Sequence, residues 1–175
     1  MDERKGYKRK VYEHRKDLAG EHLLSDIGQI ILFILFLTGL LVDKFTLHFS
    51  MFLAQLFPFY LRILFSLPFF ILSCFLARSG LKDVFGKQRE ELVVIKSGVF
   101  SIVRHPIYLG SILLYFGFII ISLSIISFFI WIIIILFYYF ISRYEEKVLI
   151  DKLGSQYEEY MNEVPMFLPR LYRKK

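Results

Sequence analysis

Long apolar runs separated by polar segments dominate the pattern along the chain. The four clearest runs are Ile27 to Val42, Phe59 to Ala77, Ile107 to Ile121 and Ile125 to Ile141. A membrane-spanning helix needs roughly 20 predominantly apolar residues, and these runs approach that length. The pattern therefore predicts an all-α polytopic membrane protein with about four transmembrane helices.

A fifth apolar stretch, Phe45 to Phe57, follows the first run after Asp43 and Lys44. It is interrupted by polar residues at His48, Ser50 and Gln55. We interpret it as an interfacial or re-entrant segment, with a fifth span as the alternative.

Polar segments lie at both ends and in the middle. Tyr7 to Leu24 predicts a solvated basic tail, or else a basic helix lying against the membrane surface. Arg78 to Val103 is the longest internal polar connection, and Ser142 to Lys175 predicts an amphipathic helix followed by a proline-containing tail. We predict one integral membrane domain over residues 1–175, with N-terminal spans in 27–77 and a functional core in 92–170.

The distribution of basic residues predicts the orientation. The chain has 22 Lys and Arg residues. Only Lys44 and Arg62 fall outside the two ends and the segment from Arg78 to Arg104. Because basic residues concentrate on the cytoplasmic side, both termini and the central connection are predicted to be cytoplasmic.

The composition is typical of a membrane protein and limits the classes of partner and bound group to expect. The chain is 56% hydrophobic, and its net charge is +6. We assign this charge to loops facing anionic lipid rather than to nucleic acid, since no aromatic–basic module is present. The single Cys74 excludes an intrachain disulfide. No metal site is expected, because the histidines show no metal-ligand spacing: His14, His22, His48 and His105.

The segment Arg104-His105-Pro106 stands where the central polar connection returns to an apolar run. Pro106 suits the first turn of a helix, where its missing N–H has no intrahelical partner. Arg104 and His105 are thus predicted at a helix N-terminus, which favours anionic ligand groups. The alternative is that the basic residues only anchor the helix at the headgroups.

A second cluster, Arg143-Tyr144-Glu145-Glu146, begins the C-terminal helix. Helical periodicity places one apolar face on Leu149, Ile150, Leu153, Tyr157 and Tyr160. Glu146 lies near the middle of that face and Glu145 on its border. An unpaired carboxylate there costs several kcal/mol, so Arg104, protonated His105 or a cationic ligand should pair with it. A structural salt bridge is the alternative, and Gly154 is a possible break in the helix.

The turn at Ser122 to Ser124 predicts how the two clusters meet. It is short enough that the flanking apolar runs must pack antiparallel. Two runs of similar length return Arg143 to the depth of Arg104. At least one carboxylate of the Glu pair should then lie across from His105.

Taken together, these motifs resemble the isoprenylcysteine carboxyl methyltransferase family and the related phospholipid N-methyltransferases. The resemblance rests on residues 98–110, the apolar hairpin, Glu145-Glu146, Leu153-Gly154-x-x-Tyr157-x-x-Tyr160, and Val164-Pro165-x-x-Leu168-Pro169. It covers about 92–170 and implies an all-helical membrane enzyme that uses S-adenosylmethionine.

The resemblance also implies site residues. The implied cofactor-binding positions are Leu92, Val93, Val94, Ile95, Phe100, His105, Pro106, Ile107, Tyr108, Glu145 and Glu146, and the implied catalytic positions are Arg104, His105, Arg143 and Glu146. Two positions differ from the family pattern. Phe100 stands where Tyr is common, and Ile141 stands where the carboxyl methyltransferases often have the Arg that engages substrate.

Three functions follow as expectations. The first is O-methylation of a lipid-modified carboxylate, such as a prenylcysteine, which needs no base. The second is N-methylation of a phospholipid of the phosphatidylethanolamine type, for which His105 or a Glu would act as base. The third is a non-catalytic membrane scaffold. In either enzymatic case the lipid substrate is expected to enter sideways from the bilayer.

Overall fold

The computed structural model describes residues 23–86 and 92–169, and within these ranges every regular element is helical. In chain order the elements are α1 (Leu23–Val42), a π-helical turn (Asp43–Leu47), α2 (Met51–Leu56), α3 (Phe59–Phe85), a 3-10 turn (Gly98–Ser101), α4 (Pro106–Ser122), α5 (Ile125–Leu153) and α6 (Ser155–Glu163). The all-α prediction is confirmed. Three segments are long and apolar enough to cross a membrane: Ile27–Leu47, α3 and α5. The apolar helix α4 is shorter. The predicted basic segment from Tyr7 lies outside the described residues as far as His22.

Two helices end well beyond the predicted bounds. Helix α3 continues past Ala77 to Phe85, and α5 continues past Ile141 to Leu153. These predicted ends were wrong because charged side chains mark where a helix leaves the apolar layer, whereas a helix ends at a residue that breaks it. For α5 that residue is Gly154, whose φ of 56° and ψ of −135° suit only glycine.

The apolar stretch Phe45 to Phe57 does not form a span. The π-helical turn is followed by His48 in a left-handed conformation and then by α2, which has only 6 residues. At 1.5 Å per residue, α2 is about 9 Å long, far short of a bilayer. The possible fifth span is therefore excluded, and the stretch connects α1 to α3.

Asp43 locks this connection to the turn between α4 and α5. Its carboxylate is 1% exposed. It accepts hydrogen bonds from the Ser50 backbone N–H at 3.0 Å and the Ser50 hydroxyl at 2.6 Å. The Ser124 hydroxyl also donates to it, at 2.5 Å. These donors offset the cost of burying the charge, so a residue that the pattern marks only as the end of a span holds two turns together.

Helices α1, α4 and α5 share the main core, formed by Leu32, Phe36, Ile112, Tyr115, Ile119, Ile134 and Tyr138. Helix α3 packs against the other face of α4. Gly110 permits this close approach, since a Cβ there would lie 3.1 Å from the carbonyl oxygen of Ser73. The outward faces of α1 and α3 expose large apolar side chains, as lipid-facing helices do; Ile30 is 60% exposed and Ile71 is 62% exposed.

A second, smaller core lies beyond the spans, where Tyr157, Tyr160 and Val164 pack with Leu149, Ile150, Leu153 and Val94. The break at Gly154 means that these residues belong to two helices, so the single amphipathic helix predicted from periodicity was wrong. The predicted apolar cluster nevertheless forms, because the glycine turn lets α6 fold back onto the end of α5.

Candidate active site

The two polar clusters meet at one end of the helix bundle. His105 precedes α4, and its Nε2 lies 3.2 Å from Oε1 of Glu146. Its Nδ1 lies 3.6 Å from Oε2 of Glu145. Glu146 is 1% exposed and Glu145 is only partly buried, as periodicity predicted. The prediction that a Glu carboxylate lies across from His105 is therefore confirmed.

The Arg104 guanidinium joins three parts of the chain. Its Nε donates to Oε1 of Glu146 at 2.8 Å. Its Nη1 donates to the carbonyl oxygens of Met161, at 2.9 Å, and Val164, at 2.5 Å. Three donors directed at three acceptors use the fixed fork of an Arg side chain. Arg104 therefore attaches the end of α6 and the segment after it to the Glu pair.

The segment after α6 forms a wall of the site. The backbone N–H groups of Arg104 and His105 donate to the carbonyl oxygens of Pro165, at 2.9 Å, and Met166, at 3.2 Å. The Phe167 ring lies 6.0 Å from the His105 ring. The sequence analysis included Val164 and Pro165 in the resemblance but did not predict that this segment contacts the site. The sequence feature that could have indicated this contact is the Val-Pro pair directly after an amphipathic helix.

The second carboxylate oxygen of Glu146 has no hydrogen-bond donor within the described residues. Oε2 is buried. The nearest cation is Nη1 of Arg143, at 3.7 Å, on a side chain that is 58% exposed. A buried carboxylate oxygen without a donor is costly, so Oε2 is suited to a cationic or N–H-donating ligand group. The ammonium group of S-adenosylmethionine, which the motif resemblance implies as cofactor, is such a group.

Glu145 is held by a different set of contacts. The Tyr108 hydroxyl donates to its Oε1. The Tyr108 ring stacks on His105, with ring centroids 5.7 Å apart, and on Tyr138, at 5.0 Å. The two neighbouring glutamates thus share His105 and differ in their other partners. Glu146 also pairs with Arg104, and Glu145 also accepts from Tyr108.

Burial lowers the pKa of His105 below its usual value, and the Arg104 charge lowers it further. The Glu146 carboxylate opposes both effects only in part. The ring is therefore neutral near pH 7. Its Nε2 hydrogen serves the bond to Glu146, which leaves the lone pair of Nδ1 as a proton acceptor on the Glu145 side.

Burial also raises the pKa of the Tyr157 and Tyr160 hydroxyls, so both stay protonated. Tyr160 donates to the carbonyl oxygen of Phe100 at 2.7 Å. Phe100 is thus tied to the site by its backbone, a contact that does not depend on a hydroxyl at that position.

The remaining predicted cofactor positions lie around this centre. Leu92, Val93, Val94 and Ile95 lie in a segment without regular secondary structure, in which Val94 packs on the Tyr157–Tyr160 core and Val93 is 48% exposed. Pro106 is buried in the first turn of α4, and the Ile107 side chain packs against Gly80 of α3. Their part in cofactor binding stays a prediction.

One enzyme family matches the part of the chain that holds this site. Residues 71–156 match the family model described as phospholipid methyltransferase. The match covers slightly less than half of the chain and includes Arg104, His105 and both glutamates of the pair. It supports a membrane methyltransferase of the type that phospholipid and isoprenylcysteine methyltransferases represent. No curated protein matches the chain.

Proposed function

We propose that this protein is an S-adenosylmethionine-dependent membrane methyltransferase that methylates the amine of a phospholipid of the phosphatidylethanolamine type. The observation that carries the proposal is a neutral imidazole between two carboxylates. Nδ1 of His105 lies 3.6 Å from Oε2 of Glu145, and its Nε2 lies 3.2 Å from Oε1 of Glu146. A neutral imidazole in this position can accept a proton.

An available base favours an amine over a carboxylate as acceptor. A lipid amine arrives as an ammonium ion and must lose a proton before it can be methylated, whereas a carboxylate needs no base. The match to the phospholipid methyltransferase family model agrees with an amine acceptor. The base therefore reverses the order of preference that the motifs alone suggest.

The cofactor's two charged ends have complementary positions. The unpartnered Oε2 of Glu146 suits its ammonium group. Among the described residues, no side chain caps the N-terminus of α4, so that helix end suits its carboxylate. When bound, S-adenosylmethionine supplies an electrophilic methyl group on a sulfonium.

The residues of the chain then position the acceptor and move one proton. Nδ1 of His105 accepts a proton from the lipid ammonium, and the Glu145 carboxylate 3.6 Å away stabilises the imidazolium that results. The neutral amine would then be able to accept the methyl group that the bound cofactor would supply, with the bonding electrons remaining on its sulfur. Positioning of the amine by the surrounding residues would supply most of the catalysis.

A prenylcysteine carboxylate is the second candidate, and one observation favours it. Arg143 is 58% exposed at the edge of the site, 3.7 Å from Glu146. A guanidinium there can turn to pair with a carboxylate acceptor. The position where the carboxyl methyltransferases often have the Arg that engages substrate, four residues before Glu145, is however Ile141. The motif resemblance supports the same substrate.

The two candidates give products of different stability. Purified protein is incubated with methyl-labelled cofactor and vesicles containing either phosphatidylethanolamine or a prenylcysteine analogue. We expect label in a product that resists hydroxide, as an N-methyl amine does. A base-labile product from the prenylcysteine arm alone would instead establish the carboxyl methyltransferase. If neither lipid is labelled and the protein does not bind the cofactor, the non-catalytic membrane scaffold becomes the favoured function.

Calorimetry in detergent tests the cofactor site separately, using the demethylated product of the cofactor as ligand. Glu146→Gln should weaken binding at least tenfold, because its Oε2 loses charge beside the ligand ammonium. Glu145→Gln should still bind but lose methyl transfer. Glu158→Gln is the matched control, because Glu158 is exposed on α6. Wild-type binding by both Glu145→Gln and Glu146→Gln would refute the site assignment.

We also infer four membrane crossings with both termini cytoplasmic. The 17 residues of α4 span about 25 Å, somewhat less than a bilayer core. Helix α4 packs between α3 and the helices α1 and α5, which supports a crossing alongside them. In this topology the Arg104–Glu146 site would lie on the cytoplasmic side, where basic residues concentrate.

A further inference from the structure

A second polar feature lies on α3, on the side away from the candidate active site. Phe75, Arg78, Ser79 and Lys82 line a cavity of about 390 Å³. Their spacing of three, four and seven residues places them on one face of the helix, which we call the Arg78–Lys82 face. The opposite face of α3, at Leu76 and Gly80, packs against α4.

We propose that the Arg78–Lys82 face binds the phosphate of an anionic phospholipid, with the lipid's acyl chain along Phe75. The position along the helix supports this occupant. Toward its apolar end, α3 exposes Ile71 and Phe75, which are 62% and 55% exposed. Exposed cations begin one turn later at Arg78. The cavity therefore lies where a lipid-facing surface becomes polar, at the depth of the headgroups.

The chemistry of the face suits a phosphodiester. Arg78 offers a guanidinium fork, Lys82 a compact charge and Ser79 a hydroxyl. Within the described residues, neither Arg78 nor Lys82 takes part in an ion pair. The neighbouring acid, Asp83, is turned toward Gly98, where a Cβ would meet its carboxylate. The positive charge of the face is thus directed at the bilayer surface and not at another part of the fold.

This inference does not depend on the methyl acceptor. A lipid held here would not reach Glu146, because α4 lies between the face and the Glu pair. The face would therefore select lipids by net negative charge, whereas the proposed acceptor headgroup is zwitterionic. We expect it to fix the depth of α3 in a membrane that contains anionic lipid.

Native mass spectrometry of the full chain in neutral detergent measures the dissociation constants of phosphatidylglycerol and phosphatidylcholine. We expect phosphatidylglycerol to bind more tightly. The double variant Arg78→Gln/Lys82→Gln should weaken phosphatidylglycerol binding roughly 20- to 30-fold, because each cation contributes about fivefold. The control Lys147→Gln/Lys152→Gln removes the same charge from exposed positions on α5, and it should change binding by less than about twofold.

Three results would overturn the proposal. Equal weakening by both double variants would mean diffuse attraction, and equal binding of the two lipids would mean that charge is not recognised. Displacement of the lipid by millimolar inorganic phosphate would mean a free-anion site. If the glutamine variant does not fold, the charge-conserving Arg78→Lys variant carries the test. This variant should weaken phosphatidylglycerol binding severalfold, because lysine lacks the two-pronged guanidinium. Unchanged binding would refute a contact between Arg78 and the lipid phosphate.

Discussion

Replacing Arg104 with lysine tests whether one guanidinium holds the C-terminal segment in place. The substitution keeps the positive charge beside Glu146. It replaces a rigid fork by a single nitrogen on a flexible chain. Arg104 donates from two nitrogens to Glu146 and to the carbonyl oxygens of Met161 and Val164. One ammonium nitrogen cannot occupy both donor positions, so the lysine side chain should keep the bond to Glu146 and lose the two carbonyl contacts.

The size of the effect follows from these bonds. A hydrogen bond to a charged group contributes about 1.5–3 kcal/mol net. Losing two such bonds at a side chain that is 8% exposed should cost roughly 3–6 kcal/mol of the free energy that docks α6 and the following segment. A change of about 3 kcal/mol alone raises the population of the detached segment by more than about 100-fold.

Hydrogen exchange followed by mass spectrometry measures that population directly. Amides from Tyr157 to Phe167 should lose protection by more than about 100-fold in Arg104→Lys, while those in the core of α5 stay protected. Arg143→Lys is the matched control, because Arg143 is 58% exposed and should leave exchange unchanged. Wild-type protection in Arg104→Lys would refute the idea that this side chain attaches the segment.

Two further predictions concern pH and topology. Because the folded pKa of His105 lies below the unfolded value of 6.5, the unfolded chain binds the extra proton. The stability contributed by the neutral ring is complete above pH 6.5 and is lost as pH falls toward the folded pKa. Chemical unfolding in detergent should show this loss in wild type and less of it in His105→Asn, and an equal loss in both would contradict it. Reporter fusions at the two termini should both report the cytoplasmic side, and reporters on opposite sides would overturn the four-crossing topology.

The membrane class and the meeting of the two clusters could be predicted from the sequence. Hydropathy reports transfer into an apolar layer, so Ile27–Val42 and Ile125–Ile141 stand out without knowledge of neighbours. A short turn between two runs of similar length dictates that Arg143 returns to the depth of Arg104. Helical periodicity then distinguishes buried Glu146 from Glu145, and a buried carboxylate requires a cationic partner.

Tertiary structure decided where the helices end and which distant groups pair. The ends of α3 and α5 depend on helix-breaking residues and packing, which hydropathy does not register. Asp43 bonds to Ser124 across 81 positions of sequence, and the carbonyl groups of Met161 and Val164 meet Arg104 only after Gly154 turns α6 back. Such pairs follow from the register between packed helices, and local periodicity carries no information about that register.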